Sequence, residues 1–237
     1  MTLRLYDRLL TVTDTIEETP ETKSLKLDWA GQAMEFVPGQ FVIVTVQLPN
    51  RGRVRRAYSV ASSPLDPELL LTVKRMENGL LSTFLCDNVQ PGDRLHIRGP
   101  YGRFTLEQNA KELVFIAAGS GIVPFRSMWR YIRQTGSKTE FSLLYASKCF
   151  RYVIYRDELA GLTQAGYRIV HTLTRTDDPL WSGYSRRIDR EMLDQFVGDF
   201  ADKLFYVCGP PDFCNRIAAW LVELTVSCDR IKTEKYD

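Results

Sequence analysis

A short run of polar and aromatic residues, Arg56-Ala57-Tyr58-Ser59, contains side chains suited to binding a cofactor. Because side chains alternate along a strand, Arg56 and Tyr58 are predicted to lie on the same face. The Arg56 guanidinium suits a pyrophosphate, and the Tyr58 ring offers a flat surface for stacking on an aromatic ligand. Ser59 adds a hydroxyl at the ligand edge. An ordinary exposed strand is the alternative interpretation of this run.

A strand that leads into a glycine-started helix provides a second group of ligand-binding residues. Backbone N–H groups and the helix dipole at such a helix start attract phosphate, although a simple helix cap has the same pattern. Together with Arg56, this segment would supply two sides of one diphosphate site within a β domain. The candidate residues are Thr72, Val73, Lys74, Gly79, Leu80, Leu81 and Ser82.

A third candidate is a glycine turn after an apolar run. All six residues of Leu113–Ala118 are apolar, which predicts a strand covered on both faces in a parallel sheet. Gly119 and Gly121 turn the chain, and Pro124 fits the first turn of a helix. Strand, turn and helix start would together bind a phosphate-bearing ligand. The first βα turn of any α/β domain is the alternative.

A cysteine marks the end of another predicted strand. Phe205–Cys208 is followed by Gly209-Pro210 and then by Asp212 at a helix start. Ligands bind at the carboxyl ends of strands in open α/β sheets, so Cys208 is predicted to face the same crevice as Gly119 and Gly121. The alternative is that the thiol is only a small hydrophobic side chain.

The end of the second α/β strand carries hydroxyl and cationic groups. No acidic residue that could bind a ribose diol lies in Tyr145–Lys148, and the groups gathered there suit a phosphate instead. A solvated basic loop is the alternative. The residues are Ser147, Lys148, Arg151 and Arg156.

The first part of the chain, up to about residue 105, has the pattern of short antiparallel strands. β-rich runs are separated by turn signals such as Pro38-Gly39, Pro49-Asn50 and Pro91-Gly92, with one helical piece at Leu81–Asn88. This pattern indicates a small barrel or sandwich. The predicted strands are Leu9–Thr13, Lys23–Leu27, Phe41–Val46, Leu69–Val73 and Arg94–Ile97.

From about residue 111 strands alternate with helices, which predicts a parallel sheet with crossover helices. The polar stretch Glu107–Lys111 separates the two patterns, so we predict a β domain over 1–106 and an α/β domain over 107–237. The predicted strands are Leu113–Ala118, Phe141–Tyr145, Arg168–Thr172 and Leu204–Cys208, and the predicted helices cover 124–135, 155–165, 189–197 and 211–226.

Composition excludes several classes of protein. The 237 residues carry a formal net charge of +2, which does not favour nucleic-acid binding, and no apolar run approaches the roughly 20 residues of a membrane span. Met1–Asp7 lacks the apolar segment of a secretion signal. Five scattered cysteines and two histidines favour neither a disulfide framework nor a metal site. A cytoplasmic protein with reduced thiols and no metal is expected.

The motifs, in this order and spacing, resemble those of the ferredoxin–NADP reductase family over nearly the whole chain. Arg56–Ser59 is similar to the flavin motif and Gly79–Ser82 to its diphosphate helix. Gly99–Phe104 is similar to the turn that closes the flavin barrel. Gly119–Pro124 resembles the pyridine-nucleotide loop, and Cys208–Pro210 the segment beside the nicotinamide.

The resemblance implies a six-stranded antiparallel flavin-binding β-barrel followed by a Rossmann-like nucleotide-binding domain, with FAD as cofactor and NADPH as donor; NADH stays open. It implies catalytic roles for Ser59 and Cys208, which would flank the contact between nicotinamide and flavin, and for Glu234, which would hydrogen-bond to them or exchange protons with solvent. It also implies a flavin contact for Ser120. The end Glu234-Lys235-Tyr236 is similar to the carboxylate-x-aromatic terminus of plant-type members, in which the aromatic ring covers the flavin. A frayed tail is the alternative for this segment.

The function implied by the resemblance is electron transfer from NADPH through FAD to a separate one-electron carrier, such as a ferredoxin or an oxygenase component. A separate carrier is expected because the chain lacks the four closely spaced cysteines of a [2Fe–2S] site. Two alternatives stay open: a reductase that uses free flavin as substrate, and a flavin-binding electron-transfer subunit of a larger complex. The expected protein is a monomer with neither nucleic-acid nor membrane partners.

Overall fold

The computed structural model describes residues 5–48, 51–176 and 178–236, so the turn expected at Pro49-Asn50 and the terminal Asp237 lie outside the described residues. The chain divides into two compact units. The first contains the residues up to Leu106 together with Val123–Gly136, and the second contains Glu107–Ile122 and the residues from Ser137 onward. The boundary that the sequence predicts after residue 106 stays a prediction.

The first unit is built on one antiparallel sheet with the strand order β4-β3-β6-β1-β2-β5. An isolated antiparallel bridge between Val60 and Leu71 joins its two edges, so the predicted six-stranded barrel is confirmed. The strands are β1 (Tyr6–Thr19), β2 (Thr22–Leu27), β3 (Phe41–Leu48), β4 (Gly52–Ser59), β5 (Leu69–Lys74) and β6 (Arg94–Tyr101).

The barrel core comes from alternate positions on these strands. Leu10 and Val12 of β1, Val42 and Val44 of β3, and Ile97 of β6 are buried, whereas their strand neighbours are mostly polar or exposed. Alternation of this kind gives each strand one apolar face, and the burial of these faces against one another drives closure of the sheet into a barrel. Beyond Thr13, β1 continues as a polar strand paired with β2, which apolar alternation did not predict.

Two helices belong to the first unit. The helix α1 (Leu80–Asp87) begins one residue before the predicted start and buries Leu81 and Leu85. The helix α2 (Val123–Gln134) packs on the loop after β4, where the Ser127 hydroxyl donates to the Ser62 carbonyl oxygen at 2.6 Å.

The second unit is a five-stranded parallel sheet with the order β11-β10-β7-β8-β9. The predicted parallel-sheet α/β class is therefore confirmed. One face of the sheet packs on α4 and α5, through residues such as Val114, Val207, Phe196 and Ile217. The strands are β7 (Glu112–Ala118), β8 (Glu140–Ser147), β9 (Arg168–Leu173), β10 (Lys203–Gly209) and β11 (Ile231–Lys235), and the helices are α3 (Arg156–Gln164), α4 (Arg190–Val197) and α5 (Pro211–Glu223).

The chain end adds a fifth strand to the four that the sequence predicts for the second unit. Ile231–Lys235 forms the edge strand β11 and pairs with Phe205–Gly209 of β10. The segment is short and mostly polar because an edge strand has a neighbour on one side only, and such a strand lacks the apolar run by which the other four were predicted. The frayed-tail interpretation is wrong for these residues.

In the part of the chain that the structure describes, no helix has the length and apolar character needed to cross a membrane.

Candidate cofactor site

Strand β4 carries Arg56 and Tyr58 at alternate positions, opposite Val44 and Val42 of β3. Arg56 is exposed, and its Nη1 donates to the Arg55 carbonyl oxygen at 2.8 Å. Tyr58 is half-buried; burial raises the pKa of its hydroxyl, nearby Cys86 adds to the rise, and Arg56 opposes it. Because Cys86 belongs to α1, the tyrosine lies where β4 and α1 meet.

The start of α1 is shaped by a close contact at Gly79. A Cβ on Gly79 would lie 2.4 Å from the Ser82 Oγ, so a side chain does not fit there. The Ser82 hydroxyl accepts from the Met76 N–H at 3.1 Å and donates to the Gly79 carbonyl oxygen at 3.3 Å. Within the described residues no side chain caps α1 at this end, so the backbone amides of Leu80 and Leu81 are placed to receive an anion.

The strand residues predicted to touch the flavin are largely internal. Thr72 is 4% exposed and its hydroxyl lies 2.7 Å from the Ser24 hydroxyl, while Val73 is 1% exposed and Lys74 is half-buried. Ser59 is also buried, at the end of β4. Contacts from Thr72 and Val73 to a ligand would therefore use the backbone. Arg56, Tyr58 and the α1 amides together fit a ligand with a diphosphate and a flat ring system, as FAD has.

The glycine turn after β7 packs against the end of β10. Gly119–Ile122 forms a short 3₁₀ turn directly before α2, in which Pro124 is the second residue. A Cβ on Gly121 would lie 2.1 Å from the Cys208 carbonyl oxygen, so only glycine allows this approach. The Tyr145 hydroxyl donates to the Gly119 carbonyl oxygen at 3.0 Å. The structure thus brings together Cys208 and the turn, as expected; Ser120 is half-buried in the same turn.

Cys208 lies in a buried polar cluster with Glu234 and Tyr236. Cys208 is fully buried, and burial raises the pKa of its thiol well above the usual value, with a further rise from the Glu234 carboxylate. The side chain of Tyr236 hydrogen-bonds to this thiol. Burial raises the pKa of Glu234 to about 7, and its Oε2 is buried without a hydrogen-bond partner among the described residues. A neutral thiol and a carboxyl that holds a proton near neutral pH suit positioning and proton exchange.

The segment after β10 leads straight into α5. A Cβ on Gly209 would lie 2.9 Å from the Phe213 ring, and Pro210 precedes the first residue of the helix. Asp212 is exposed in the first turn of α5, where its charge suits the helix dipole. Gly209 and Pro210 therefore lie at the carboxyl end of β10. The favourable interaction with the helix dipole accounts for an exposed carboxylate at Asp212.

The residues predicted to bind the 2′-phosphate of NADPH differ in the contacts that their side chains make. Ser147 is 5% exposed, and its Oγ has no hydrogen-bond partner among the described residues. The Lys148 ammonium lies 5.1 Å from the centre of the Tyr152 ring. Arg156 instead lies 5.4 Å from the Phe150 ring and pairs with Asp157 at 3.3 Å. The Arg156 guanidinium is thus already engaged with a carboxylate, and the 2′-phosphate role of all these residues stays a prediction.

Sequence reasoning missed one cation at this place. The Arg175 N–H donates to the Lys148 carbonyl oxygen at 2.7 Å, and the Thr174 N–H donates to that of Ser147 at 2.9 Å. The exposed Arg175 side chain thus starts beside Lys148. Arg175 follows the end of β9 by two residues, and the carboxyl end of β9 adjoins that of β8. The sequence could have indicated Arg175 only through this adjacency of the two strand ends.

Comparisons with known proteins agree with this arrangement. Residues 9–106 match the family described as oxidoreductase FAD-binding domain, and residues 115–218 match oxidoreductase NAD-binding domain. A relative named ferredoxin--NADP reductase B, from Sorangium cellulosum, is 32% identical over 229 residues, which cover 92% of this chain and 93% of the relative.

A second relative is the ferredoxin reductase component of 3-ketosteroid-9-alpha-monooxygenase from Mycobacterium tuberculosis. It is 29% identical over 240 residues, which cover 96% of this chain and 64% of the relative, so the chain spans under two thirds of that protein. The FAD/NAD-binding domain of nitric oxide dioxygenase from Vibrio cholerae shares the fold, with a TM-score of 0.87, 24% identity, and coverage of 97% of this chain and 98% of that one.

The match to the Sorangium reductase extends over nearly all of both chains, and the two domain matches together cover residues 9–106 and 115–218. The chain therefore belongs to the ferredoxin–NADP reductase family, as an oxidoreductase with FAD and a pyridine nucleotide as cofactors.

Proposed function

We propose that this protein transfers electrons from NADPH through FAD to a separate one-electron carrier, a ferredoxin or the oxygenase component of a larger system. The observation that carries the proposal is the contact between Gly121 and the Cys208 backbone, beside a buried carboxyl at Glu234. Two relatives are named as a ferredoxin reductase component and a ferredoxin--NADP reductase. Residues 1–106 would bind FAD, and residues 107–237 would bind the nucleotide.

The chemistry that FAD would supply when bound is to accept a hydride and to pass electrons on one at a time. The protein's residues position the cofactors for that chemistry. Arg56 and the α1 amides would bind the diphosphate, and the Tyr58 ring would stack on the flavin. The turn at Gly119 and Gly121 would bind the pyridine nucleotide through its backbone.

The catalytic candidates have separate roles in this proposal. Ser59 and Cys208 are both buried; Ser59 would contact the flavin, and Cys208 would contact the nicotinamide. The Glu234 carboxyl, with its pKa raised by burial to about 7, would hold a proton and exchange it at Oε2, which accepts no hydrogen bond from the described residues. No step requires a nucleophile, which agrees with the raised pKa of the Cys208 thiol.

NADPH is proposed as the donor because cationic groups gather at the carboxyl ends of β8 and β9. Lys148 and Arg175 start from hydrogen-bonded backbone positions, and the buried Ser147 hydroxyl beside them is unpartnered among the described residues. Such donors suit a 2′-phosphate, whereas an acidic residue would suit the free ribose diol of NADH.

The test is spectroscopic. The purified protein should contain one tightly bound FAD, and anaerobic addition of NADPH should bleach its absorbance faster than NADH does. Flavin that is lost on gel filtration but turned over as a substrate would identify a free-flavin reductase. Bound flavin that neither nucleotide reduces would identify an electron-transfer subunit and would refute the proposal.

The proposal also treats the protein as a cytoplasmic monomer. The five cysteines are all free, which suits a reducing compartment. Light scattering behind gel filtration would test the monomer, and cell fractionation would test the location.

A further inference from the structure

The second unit contains a cavity at the amino ends of its parallel strands, the opposite end from the turn at Gly119 and Gly121. The cavity lies beside the last turn of α4 and has a volume of about 470 Å³. This volume falls within the range of about 300–1,000 Å³ that is usual for small-molecule sites. The residues that line it all belong to the second unit.

The register of the sheet brings an apolar, a hydroxyl and a cationic side chain together in this cavity. Val114, Ser142 and Arg168 occupy paired positions on β7, β8 and β9, so their side chains project from the same face. Val114 is buried in the cluster that contains α4, whereas Ser142 is half-buried and Arg168 is exposed. The small Ser142 side chain leaves space where a larger apolar residue would have completed the packing.

Arg168 is held in place at the cavity by α4. Its Nη2 donates to the Gln195 carbonyl oxygen at 3.3 Å, and its guanidinium carbon lies 5.0 Å from the centre of the Phe196 ring. The guanidinium also offsets the partial negative charge at this end of the helix. A guanidinium has further N–H donors, which can bind a carboxylate. The Ser142 hydroxyl on the next strand supplies one more.

The charges that line the cavity favour a ligand with a single negative charge. Glu112 pairs with the Lys203 ammonium, which leaves Glu140 as the carboxylate to set against Lys138 and Arg168. This balance is positive and attracts an anion. A dianion would be repelled more strongly by Glu140 than a monoanion would, and a cationic ligand would be repelled by the arginine and the lysine.

Apolar side chains line the same cavity. Val114, Phe196 and Val197 are buried and contribute to its wall. A hydrocarbon or aromatic group placed on them would be removed from water, which adds affinity that a simple inorganic anion lacks. The lining therefore suits an organic anion better than phosphate or chloride.

We propose that this cavity binds a small organic monocarboxylate, with the carboxylate on Arg168 and Ser142 and the apolar group on Val114, Phe196 and Val197. Ser142 and Ser147 are five residues apart on β8, about 16 Å along the strand, so the cavity is separate from the predicted 2′-phosphate position. The proposal does not depend on the proposed function.

The test measures the binding of phenylacetate to the purified holoprotein by calorimetry, with saturating NADP⁺ present. Phenethylamine, phenylethanol and phenyl phosphate have the same aromatic ring and replace the carboxylate by a cation, a neutral hydroxyl and a dianion. Arg168→Gln removes the guanidinium from the cavity. Arg190→Gln is the matched control, because Arg190 is an exposed residue at the other end of α4 that pairs with Glu223 at 3.7 Å.

Phenylacetate should bind the parent with a submillimolar Kd, and Arg168→Gln should weaken this binding about tenfold or more, while Arg190→Gln binds like the parent. Ser142→Ala, which removes only a hydroxyl, should weaken it a few-fold. The other three compounds should bind more weakly than phenylacetate, and Glu140→Gln should improve the binding of phenyl phosphate. Thermal unfolding shows whether each variant is folded.

Three results would overturn the proposal. The first is the absence of phenylacetate binding by the parent, and the second is an equal loss in the Arg168→Gln and Arg190→Gln variants. The third is tighter binding of phenethylamine or phenyl phosphate than of phenylacetate. A repeat without NADP⁺ completes the test: binding that appears only then would assign the carboxylate to the nucleotide site and would also contradict the proposal.

Discussion

Cys208 and Glu234 occupy paired positions on the adjacent parallel strands β10 and β11. The pairing places a buried carboxyl next to a buried thiol, and burial raises the pKa of both groups. At mildly acidic pH neither group carries a charge, so burying both in low-polarity surroundings costs little free energy. The two residues thus form one unit at the predicted nicotinamide position, and substitutions in either should affect hydride transfer more than flavin binding.

The first prediction concerns Cys208 itself. Cys208→Ala should slow anaerobic flavin reduction by NADPH, because the nicotinamide loses a side chain that positions it. FAD content should stay at the parent value, because Arg56, Tyr58 and the start of α1, which are proposed to bind the flavin, lie in the other unit. Stopped-flow absorbance measures the reduction rate. Cys228→Ala, at an exposed thiol, is the matched control. An unchanged rate in Cys208→Ala would mean that this thiol only packs in the core.

A pH dependence follows from Glu234. Its pKa is raised from 4.5 in the unfolded chain to about 7 in the folded protein, so folding binds a proton between those values. The stabilisation is fully present below pH 4.5 and is lost as the pH rises through about 7, at up to about 1.4 kcal/mol per pH unit. Glu234→Gln should remove this slope, measured as urea unfolding of the second unit from pH 5 to 8. Parallel pH profiles for the parent and Glu234→Gln would contradict the assignment.

The Arg56 prediction tests the flavin site. Arg56→Ala removes a charged hydrogen bond to phosphate, worth roughly 1.5–3 kcal/mol, so the FAD dissociation constant should rise about 10- to 150-fold. Arg53→Ala removes an equally exposed guanidinium from the other face of β4 and should leave FAD binding unchanged. Titration of the apoprotein with FAD by fluorescence quenching measures both. Equal effects in the two variants would show that Arg56 does not bind the diphosphate of FAD.

These tests bear on what the sequence alone could predict. Short strands separated by turn signals predicted the barrel, and strands alternating with helices predicted the parallel sheet, because both leave local patterns in the sequence. Strand β11 left none, since an edge strand of mostly polar residues has no apolar run. Arg175 was missed for a related reason: its neighbour Lys148 comes from another strand, and only the register of β8 with β9 brings them together.

Lys148 and Arg175 give the prediction on cofactor choice. Lys148→Ala and Arg175→Ala should each weaken NADPH binding several-fold and leave NADH nearly unaffected, because only NADPH carries the 2′-phosphate. Arg156→Ala should have the smaller effect, since that guanidinium already contacts Asp157 and the Phe150 ring. Steady-state KM values for both nucleotides measure the difference. Equal losses for NADPH and NADH would show that these cations do not recognise the 2′-phosphate.

The last prediction concerns Tyr236, whose backbone N–H donates to the Gly209 carbonyl oxygen at 3.0 Å and whose side chain hydrogen-bonds to the Cys208 thiol. A side chain held on Cys208 occupies the space that the nicotinamide is predicted to need, so it must move before productive binding. Only the fraction of molecules with an open site can bind, which lowers the apparent nucleotide affinity.

Tyr236→Ala should therefore tighten NADP⁺ binding and reduce the preference for NADPH over NADH, because nicotinamide binding would depend less on contacts at the 2′-phosphate. Tyr236→Phe keeps the ring and loses only the hydroxyl, so its NADP⁺ dissociation constant should stay closer to that of the parent. Difference spectroscopy during NADP⁺ titration measures all three proteins, after mass spectrometry has confirmed an intact chain end. If Tyr236→Ala leaves both the dissociation constant and the nucleotide preference unchanged, the tyrosine does not cover the nicotinamide position, and the hydrogen bond to Cys208 serves only to hold strand β11 in place.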